Sequence, residues 1–416
     1  MALSLIRRLR TMFGDPPLLL AVLGLSLFGV AMVYSAGQVD VPNAVVGRAW
    51  RMQLVWLGIS IVALLVMTRL QLRWLEWIAP FAYAAGLAAL LLTLFIGTGA
   101  GTAASTKSWL QLGPVRIQPA QFANVATILM LGRVMGRWGE APRTFFALWK
   151  PLTIVAVPMV LVMGQPDLGT AMVFGGLLLA TLFWAGTPAL LLFLLISPVV
   201  ALFLSFQVKL FTVYMFLLLG VLYLYRMRLW ESVLVVFANL AAGTIALPLW
   251  NSLADYQRNR FLVFLDPYID PRGAGYQHIQ SRIAIGSGGL LGKGFTQGSQ
   301  KRLAFLPEQH TDFIYAVIGE ELGFIGAGAV LLMFGLILWR LARLAERAPD
   351  PFAGIVVFGI FGAWLTHILV NVGMNVGVMP ITGIPLPFLS YGGSFLLATF
   401  IALGIAQRVA SEQGRI

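Results

Sequence analysis

Apolar runs long enough to cross a bilayer follow one another along almost the whole chain. A spanning helix needs about 20 mostly apolar residues. The pattern places such spans at about 16–36, 52–69, 74–97, 119–137, 151–164, 167–185, 187–206, 208–226, 229–249, 312–340, 352–372 and 387–409, roughly 12 in all. The span at 151–164 is short, as a half-helix or a tilted helix would be. The pattern predicts an all-α polytopic integral membrane protein, with residues 1–416 forming a single membrane domain. It breaks at two places. Residues 250–311 are polar, and near the C-terminus Pro and Gly interrupt the run MPITGIPLPFLSYGGS. Broken backbone at membrane depth is tolerated only where it is buried in protein or lines a cavity.

Composition agrees with this pattern, at 59% hydrophobic and 11% charged residues. The net charge of +12 would suit nucleic acid, but the Lys and Arg residues are scattered among the spans. They read as topology anchors, with a few left to meet an anionic substrate, and no nucleic-acid partner is expected. LIRRLR near the N-terminus leads into a span reaching Tyr34, too long for the apolar core of a cleavable signal. The positive-inside rule sets the orientation. Arg7, Arg8 and Arg10, then Arg69 and Arg73, Arg137, Arg143 and Lys150, Arg226 and Arg228, Arg340, Arg343 and Arg347, and Arg408 and Arg415 fall inside. Both termini are then cytoplasmic, in a multi-pass membrane protein. The link at 373–386 has no Lys or Arg and falls outside, and parity places 98–118 and 250–311 outside with it. Cysteine is absent, which excludes disulfides and thiolate chemistry, and three separated His make a His-rich metal site unexpected.

Candidate chemistry concentrates in the large extracytoplasmic loop at 250–311, which holds seven Lys/Arg and four Asp/Glu. Its DYQRNR stretch sets Asp255 beside Arg258 and Arg260. A carboxylate can take the proton of an attacking hydroxyl, and arginines clamp diphosphate oxygens. A diphosphate leaving group needs charge stabilisation more than a general acid. The plain alternative is a membrane-proximal ion pair between Asp255 and Arg258. Tyr276, Ile279 and Ile283 keep the spacing of a short amphipathic helix on the membrane surface. IGSGGLLGKG then offers glycine N–H groups and Lys293 to a phosphate, or is simply a turn. Glu308 and His310 follow in LPEQHTD, and Glu320 and Glu321 lie about two turns into the next helix, facing a wet cavity or held in an ion pair. Outside the loop, Asp167 is either a helix N-cap or a substrate contact. Trp109 is either an interfacial belt residue or a substrate contact. No clean metal-ligand set is visible, although a divalent cation (Mg or Mn) on a diphosphate is physically reasonable.

Five stretches together resemble the SEDS family (shape, elongation, division and sporulation) of bacterial cell-wall polymerases. They are QPDLGTA at 165–171, DYQRNR at 255–260, DPRGAGYQHIQSRIAIGSGGLLGKG at 270–294, FLPEQHTDFIYAVIGEELGF at 305–324 and PITGIPLPFLSYGGS at 380–394. They are long, specific and in order, and DYQRNR with LPEQHTDF resembles the elongation branch. The resemblance implies a ten-helix bundle, so the stretch at about 187–226 reads as an inserted hairpin. It implies a peptidoglycan glycosyltransferase that polymerises lipid II, the undecaprenyl-diphosphate disaccharide-peptide, on the outer face of the membrane during elongation and rod-shape maintenance. The reaction would be inverting and would release undecaprenyl diphosphate. Asp255 matches the family's essential loop aspartate, with Glu308, Asp312 and Glu320 the next carboxylates in line. The implied partner is a class B penicillin-binding protein, a transpeptidase, with other elongation-complex proteins more loosely implied.

The chain also departs from the family pattern. Ser108-Trp109 stands where members usually read Arg-Trp, and Gln118-Pro119-Ala120-Gln121-Phe122-Ala123-Asn124 where they read Q-P-S-E-F-x-K. An Arg, a Glu and a Lys are thus missing from one neighbourhood, as a dispensable ion pair would be. Two other functions fit the composition. A lipid II flippase would need polar groups in both halves of the membrane. A scaffold that only docks the transpeptidase would not need Asp255.

Overall fold

The structure is a computed structural model. It describes residues 14–40, 44–99, 107–113, 115–138, 141–253, 255–273, 275–303, 305–306 and 308–413, and excludes the side chains of 44–46, 112 and 255–257. The helices are α1 Pro16–Ala36, α2 Ala44–Arg69, α3 Leu72–Ile96, α4 Pro119–Met135, α5 Trp149–Met163, α6 Leu168–Trp184, α7 Ala189–Leu204, α8 Val208–Leu224 and α9 Leu229–Ser252. Then come α10 Asp255–Leu265, α11 Tyr276–Gly288, the short α12 Ser299–Arg302, α13 Ile314–Glu346, α14 Pro351–Val376 and α15 Gly393–Gln413. A two-stranded antiparallel hairpin, β1 Leu110–Leu112 and β2 Val115–Ile117, lies between α3 and α4. The helical architecture predicted from the apolar runs is the one observed, apart from this hairpin. Eight of the described helices are long and apolar enough to span, and α6, α7 and α8 are shorter apolar helices.

Aspartate caps mark where three of the helices begin. Asp15, Asp167 and Asp350 each accept a backbone N–H of the following first turn. Prolines inside the helices are compensated locally. Pro80 cannot donate to the Glu76 carbonyl, and Arg133 Nη1 donates to that oxygen at 2.7 Å instead. Pro198 frees the Leu194 carbonyl, which accepts from Ser197 Oγ at 2.7 Å. Three predicted spans differ most from their helices: 52–69 starts earlier, in α2 from Ala44, and 312–340 runs on in α13 to Glu346. The run at 387–409 yields α15 only from Gly393, because Phe388 takes a left-handed φ of +66° and residues 387–392 stay irregular.

The core lies between α14 and α15 and the helices around them. Of their most apolar stretches, 78% and 83% is buried, against 17% for α9. The hairpin α7–α8 packs with α9 around a small core of its own, Leu194, Leu218, Leu222 and Val235. Tyr214 Oη donates to Asn239 Oδ1 at 3.1 Å, and Asn239 Nδ2 donates to Ser197 Oγ at 2.8 Å, which ties all three helices together.

The long helix α13 is broken at Gly323, whose backbone (φ +66°, ψ −165°) no L side chain adopts readily. The break frees four backbone groups, and the turn after α11 takes up all of them. Lys293 N donates to Glu320 O at 3.0 Å and Gly294 N to Glu321 O at 2.9 Å, while Phe324 N and Ile325 N donate back to Gly289 O and Leu290 O. The N–H groups of 293 and 294, offered by the sequence to a phosphate, are therefore spent on α13. The helix expected around Tyr276, Ile279 and Ile283 forms as α11, and it packs on the bundle through its other face. His278, Ser281, Ala284 and Gly288 are buried, and Ile283 is exposed. Small residues win this face because α11 lies close against α13, where a Cβ on Gly288 would meet the Gly319 carbonyl.

Candidate active site

The end of the bundle that holds the N-termini of α4, α6, α13 and α15 also holds α10 and α11. Here the irregular segment 377–392 folds back into the helices, with Ile384, Leu386, Phe388 and Leu389 buried. Polar side chains of the buried helix α14 satisfy its backbone. Asn371 Nδ2 donates to Ile384 O at 2.7 Å, and His367 Nδ1 lies 3.0 Å from Pro385 O. Gly169 is needed for the segment to approach α6, since a Cβ there would lie 2.4 Å from Ile384 Cγ2 and 2.9 Å from Thr382 O.

Against this segment sits the turn 308–312. Glu308 holds a φ of +54°, a region that costs a non-glycine residue about 1–3 kcal/mol and marks an over-determined backbone. The determinants are visible. Asn371 Nδ2 and Asn375 Nδ2 both donate to Asp312 O, at 2.9 and 3.0 Å. Ser390 Oγ donates to Thr311 O at 2.6 Å, and Tyr391 N donates to His310 O at 2.9 Å. Asn375 Oδ1 in turn accepts from Ala316 N, the first turn of α13. The clamp fixes the Asp312 side chain beside Gly383.

Three acidic residues meet here. Burial pushes the Asp312 carboxyl up to about 7; the nearby Glu308 and Asp167 charges act in the same direction, and Arg260 opposes them. Burial also raises the Asp167 carboxyl, opposed by hydrogen bonds from Thr170 and Gln118 and by the charge of Arg260. Asp167 is therefore both a cap and a member of this cluster. Its Oδ1 accepts from Thr170 N at 3.0 Å, and its Oδ2 accepts from Gln118 Nε2 at 3.0 Å. Arg260 on α10 is the cation that acts on both carboxyls. His310 stands beside them with its ring 5.5 Å from Tyr391, and burial holds it below its ordinary range.

Other residues singled out from the sequence take different places. Asp255 opens α10, and its side chain lies outside the described ones. Arg258 closes the end of α9, its Nε donating to Leu253 O at 2.9 Å and its Nη2 to Asn251 O at 3.2 Å. Trp109 is half-buried and forms a backbone bridge with Thr98. Glu320 accepts from Lys293 Nζ at 2.7 Å, and Glu321 is paired with Lys301, both fully buried. Ser35 Oγ on α1 also donates to Glu321, so this pair staples the loop to the first helix. Gln121 and Asn124 line a small cavity of about 30 Å³ with His367 and Thr399, room for about two waters. Asn124 Oδ1 finds no protein partner there. Where the family pattern has charged residues, this chain thus has neutral amides beside a small, mostly apolar cavity.

Sequence reasoning missed the clamp of Asn371, Asn375 and Ser390. A signal for it existed, since two asparagines four residues apart inside an apolar helix share one face and need partners.

The chain matches the model of the FtsW/RodA/SpoVE cell cycle proteins over residues 17–212 and 208–415. It is 33% identical over 399 residues to the peptidoglycan glycosyltransferase MrdB of Escherichia coli K12, covering 96% of this chain and 94% of that protein. It is 32% identical over 428 residues to the peptidoglycan glycosyltransferase RodA of Treponema pallidum, covering 96% and 98%. Among solved structures it resembles a chain of a peptidoglycan synthase complex that coordinates polymerization and crosslinking, with a TM-score of 0.69, 29% identity and coverage of 96% and 98%. It also resembles the rod shape determining protein RodA of Thermus thermophilus, with a TM-score of 0.62, 25% identity and coverage of 96% and 97%.

Proposed function

The chain belongs to the FtsW/RodA/SpoVE family of cell cycle proteins, and we propose that it is a membrane-embedded peptidoglycan glycosyltransferase that polymerises lipid II during cell elongation. One observation carries the reading at the level of the site. Helix α10 brings Arg260 to two carboxyls, Asp167 and Asp312, raised from the ordinary range at one end of an apolar bundle. Perturbed carboxyls gathered in this way mark a site built for chemistry more often than one built for stability.

In the reaction we infer, Asp255 takes the proton of the acceptor sugar's 4-hydroxyl. That oxygen attacks the anomeric carbon of the donor from the face opposite the diphosphate. The new C–O bond forms as the bond to the diphosphate breaks, with inversion. The electron pair leaves on undecaprenyl diphosphate, whose charge Arg260 offsets with Arg258 beside it. Asp167, Glu308 and Asp312 accept hydrogen bonds from sugar hydroxyls, and His310, Trp109 and Lys293 border the path of the substrate. Among the described residues no group of three His, Asp or Glu could hold a metal ion, and a divalent cation would be held chiefly by the diphosphate oxygens themselves.

The arginine-rich helix ends support a cytoplasmic placement of both termini and an extracytoplasmic site. The residues there include Arg69, Arg73, Arg226, Arg228, Arg340 and Arg343. The separate small core of α7, α8 and α9 supports reading 187–226 as a hairpin added to a ten-helix bundle, giving twelve spans. The similar chain from a complex that couples polymerization to crosslinking supports a class B transpeptidase as partner, with other elongation proteins further out.

The test is polymerisation of purified lipid II in detergent, with the cognate transpeptidase domain present, by the wild type and by Asp255→Ala. Detergent removes the two compartments, so a flippase gives no product. Glycan ladders from the wild type alone support the reading. Ladders from both move the base to another carboxylate. Ladders from neither, with partner and divalent metal supplied, favour the flippase.

A further inference from the structure

At the opposite end of the bundle, α8 and α9 diverge and leave a groove of about 820 Å³ between them. That volume falls in the usual range of ligand sites, about 300–1,000 Å³. Its walls are apolar, from Leu222 and Tyr223 on α8 and Val233, Phe237 and Leu240 on α9. Arg226 is the single charged residue of the lining and lies in the turn that joins α8 to α9. Arg228 is exposed in the same turn. The one nearby carboxylate, Glu231 in the first turn of α9, lies outside the lining and is 3% exposed.

The length of the groove identifies its occupant. From Leu229 to Leu240 the lining rises along α9 by about 16 Å, at about 1.5 Å per residue. That is about half of a hydrocarbon layer roughly 30 Å thick. A partner's spanning helix would need a seam along the full thickness. A lipid chain entering from one leaflet needs only half. The mouth then lies at headgroup level, where its two cations meet a phosphate. The backbone points the same way. Arg226 holds a φ of +47°, a left-handed turn that glycine would adopt without strain. The position carries an arginine despite that cost.

We propose that the α8–α9 groove binds an anionic phospholipid, one acyl chain lying between the helices and the headgroup phosphate meeting Arg226 and Arg228. This site is separate from the carboxyl cluster and does not depend on the activity proposed above.

The test is native mass spectrometry of the purified full chain in detergent, titrated with phosphatidylglycerol or with phosphatidylcholine of the same acyl chains. Each arginine near a lipid surface is worth roughly a fivefold change in affinity, so phosphatidylglycerol should bind roughly 25-fold tighter. R226Q/R228Q should abolish that preference, and R226K should keep most of it. V233W, which fills the groove, should weaken both lipids, and R343Q/R347Q in another basic cluster should leave the preference intact. Equal binding of the two lipids by the wild type would overturn the proposal. So would a phosphatidylglycerol preference that survives in R226Q/R228Q, or one lost equally in R343Q/R347Q.

Discussion

Two pairs of acidic residues lie at the same end of the bundle, and the chain uses them differently. Glu320 and Glu321 are fully buried, and each meets a lysine directly, Lys293 at 2.7 Å and the buried Lys301. Asp167 and Asp312 come from two separate helix ends, are only partly buried, and share the influence of a single Arg260. The first pair is compensated charge for charge and joins the loop to α1 and α13. The second is under-compensated, so burial lifts its carboxyls from the ordinary range with only Arg260 and local hydrogen bonds opposing it. A carboxylate with its own buried cation holds structure. One that shares a cation with another carboxylate can still exchange protons and ligands.

The sharpest break of this comparison comes from α10. Asp255→Asn should lower lipid II polymerisation about 10²–10⁴-fold, the range of a general base, with thermal unfolding unchanged. Glycan ladders and a melting curve on the same preparation check both halves. Next is Glu321→Gln, which leaves Lys301 buried without its partner. It should cost about 3–5 kcal/mol in unfolding free energy, and Lys301→Met with Glu321→Met should recover most of that loss. A smaller loss, about 1–3 kcal/mol, is expected for Asn375→Ala, which strips a donor from Asp312 O and an acceptor from Ala316 N. Unlike the Glu321 change, it should also slow polymerisation, because it loosens the turn that carries Asp312. The smallest effect, under about 1 kcal/mol, is expected for Arg302→Gln, whose partner Asp40 is exposed at 3.1 Å.

Titration sharpens the comparison further. In the folded chain the Asp312 carboxyl is raised from 3.8 to about 7. Between those values the folded state holds a proton that the unfolded state has released. Its contribution therefore favours folding at low pH and is lost as pH rises through about 4 to 7. The melting temperature of Asp312→Asn should fall less than that of the wild type between pH 5 and 8. Parallel melting curves would give this carboxyl no part in the pH dependence.

The order and type of the helices were legible in the residues because apolar runs and Pro- or Asp-marked starts are local signals. The broken stretch 380–394 was legible for the same reason, and it is buried in protein as the bilayer requires. The division of labour among the carboxylates was not. Glu321 owes its partner Ser35 to a contact 286 residues away, and no local pattern distinguishes it from Asp312. The Gly-rich turn at 286–294 read equally well as a phosphate cradle, and only the break at Gly323 shows that the N–H groups of Lys293 and Gly294 are spent on α13. Gln121 and Asn124 looked like a lost ion pair, and the structure sets them beside a small, mostly apolar cavity with no charge to compensate.

The most direct measurement is lipid II polymerisation by Asp312→Asn, made beside its melting curve at pH 7. Loss of at least about tenfold in rate, the smallest change that counts as about 1.4 kcal/mol of transition-state stabilisation, is expected with the melting temperature equal to or above that of the wild type. A variant that polymerises at the wild-type rate, or that loses activity only because it unfolds, would put Asp312 among the structural carboxylates with Glu321 and undo the distinction.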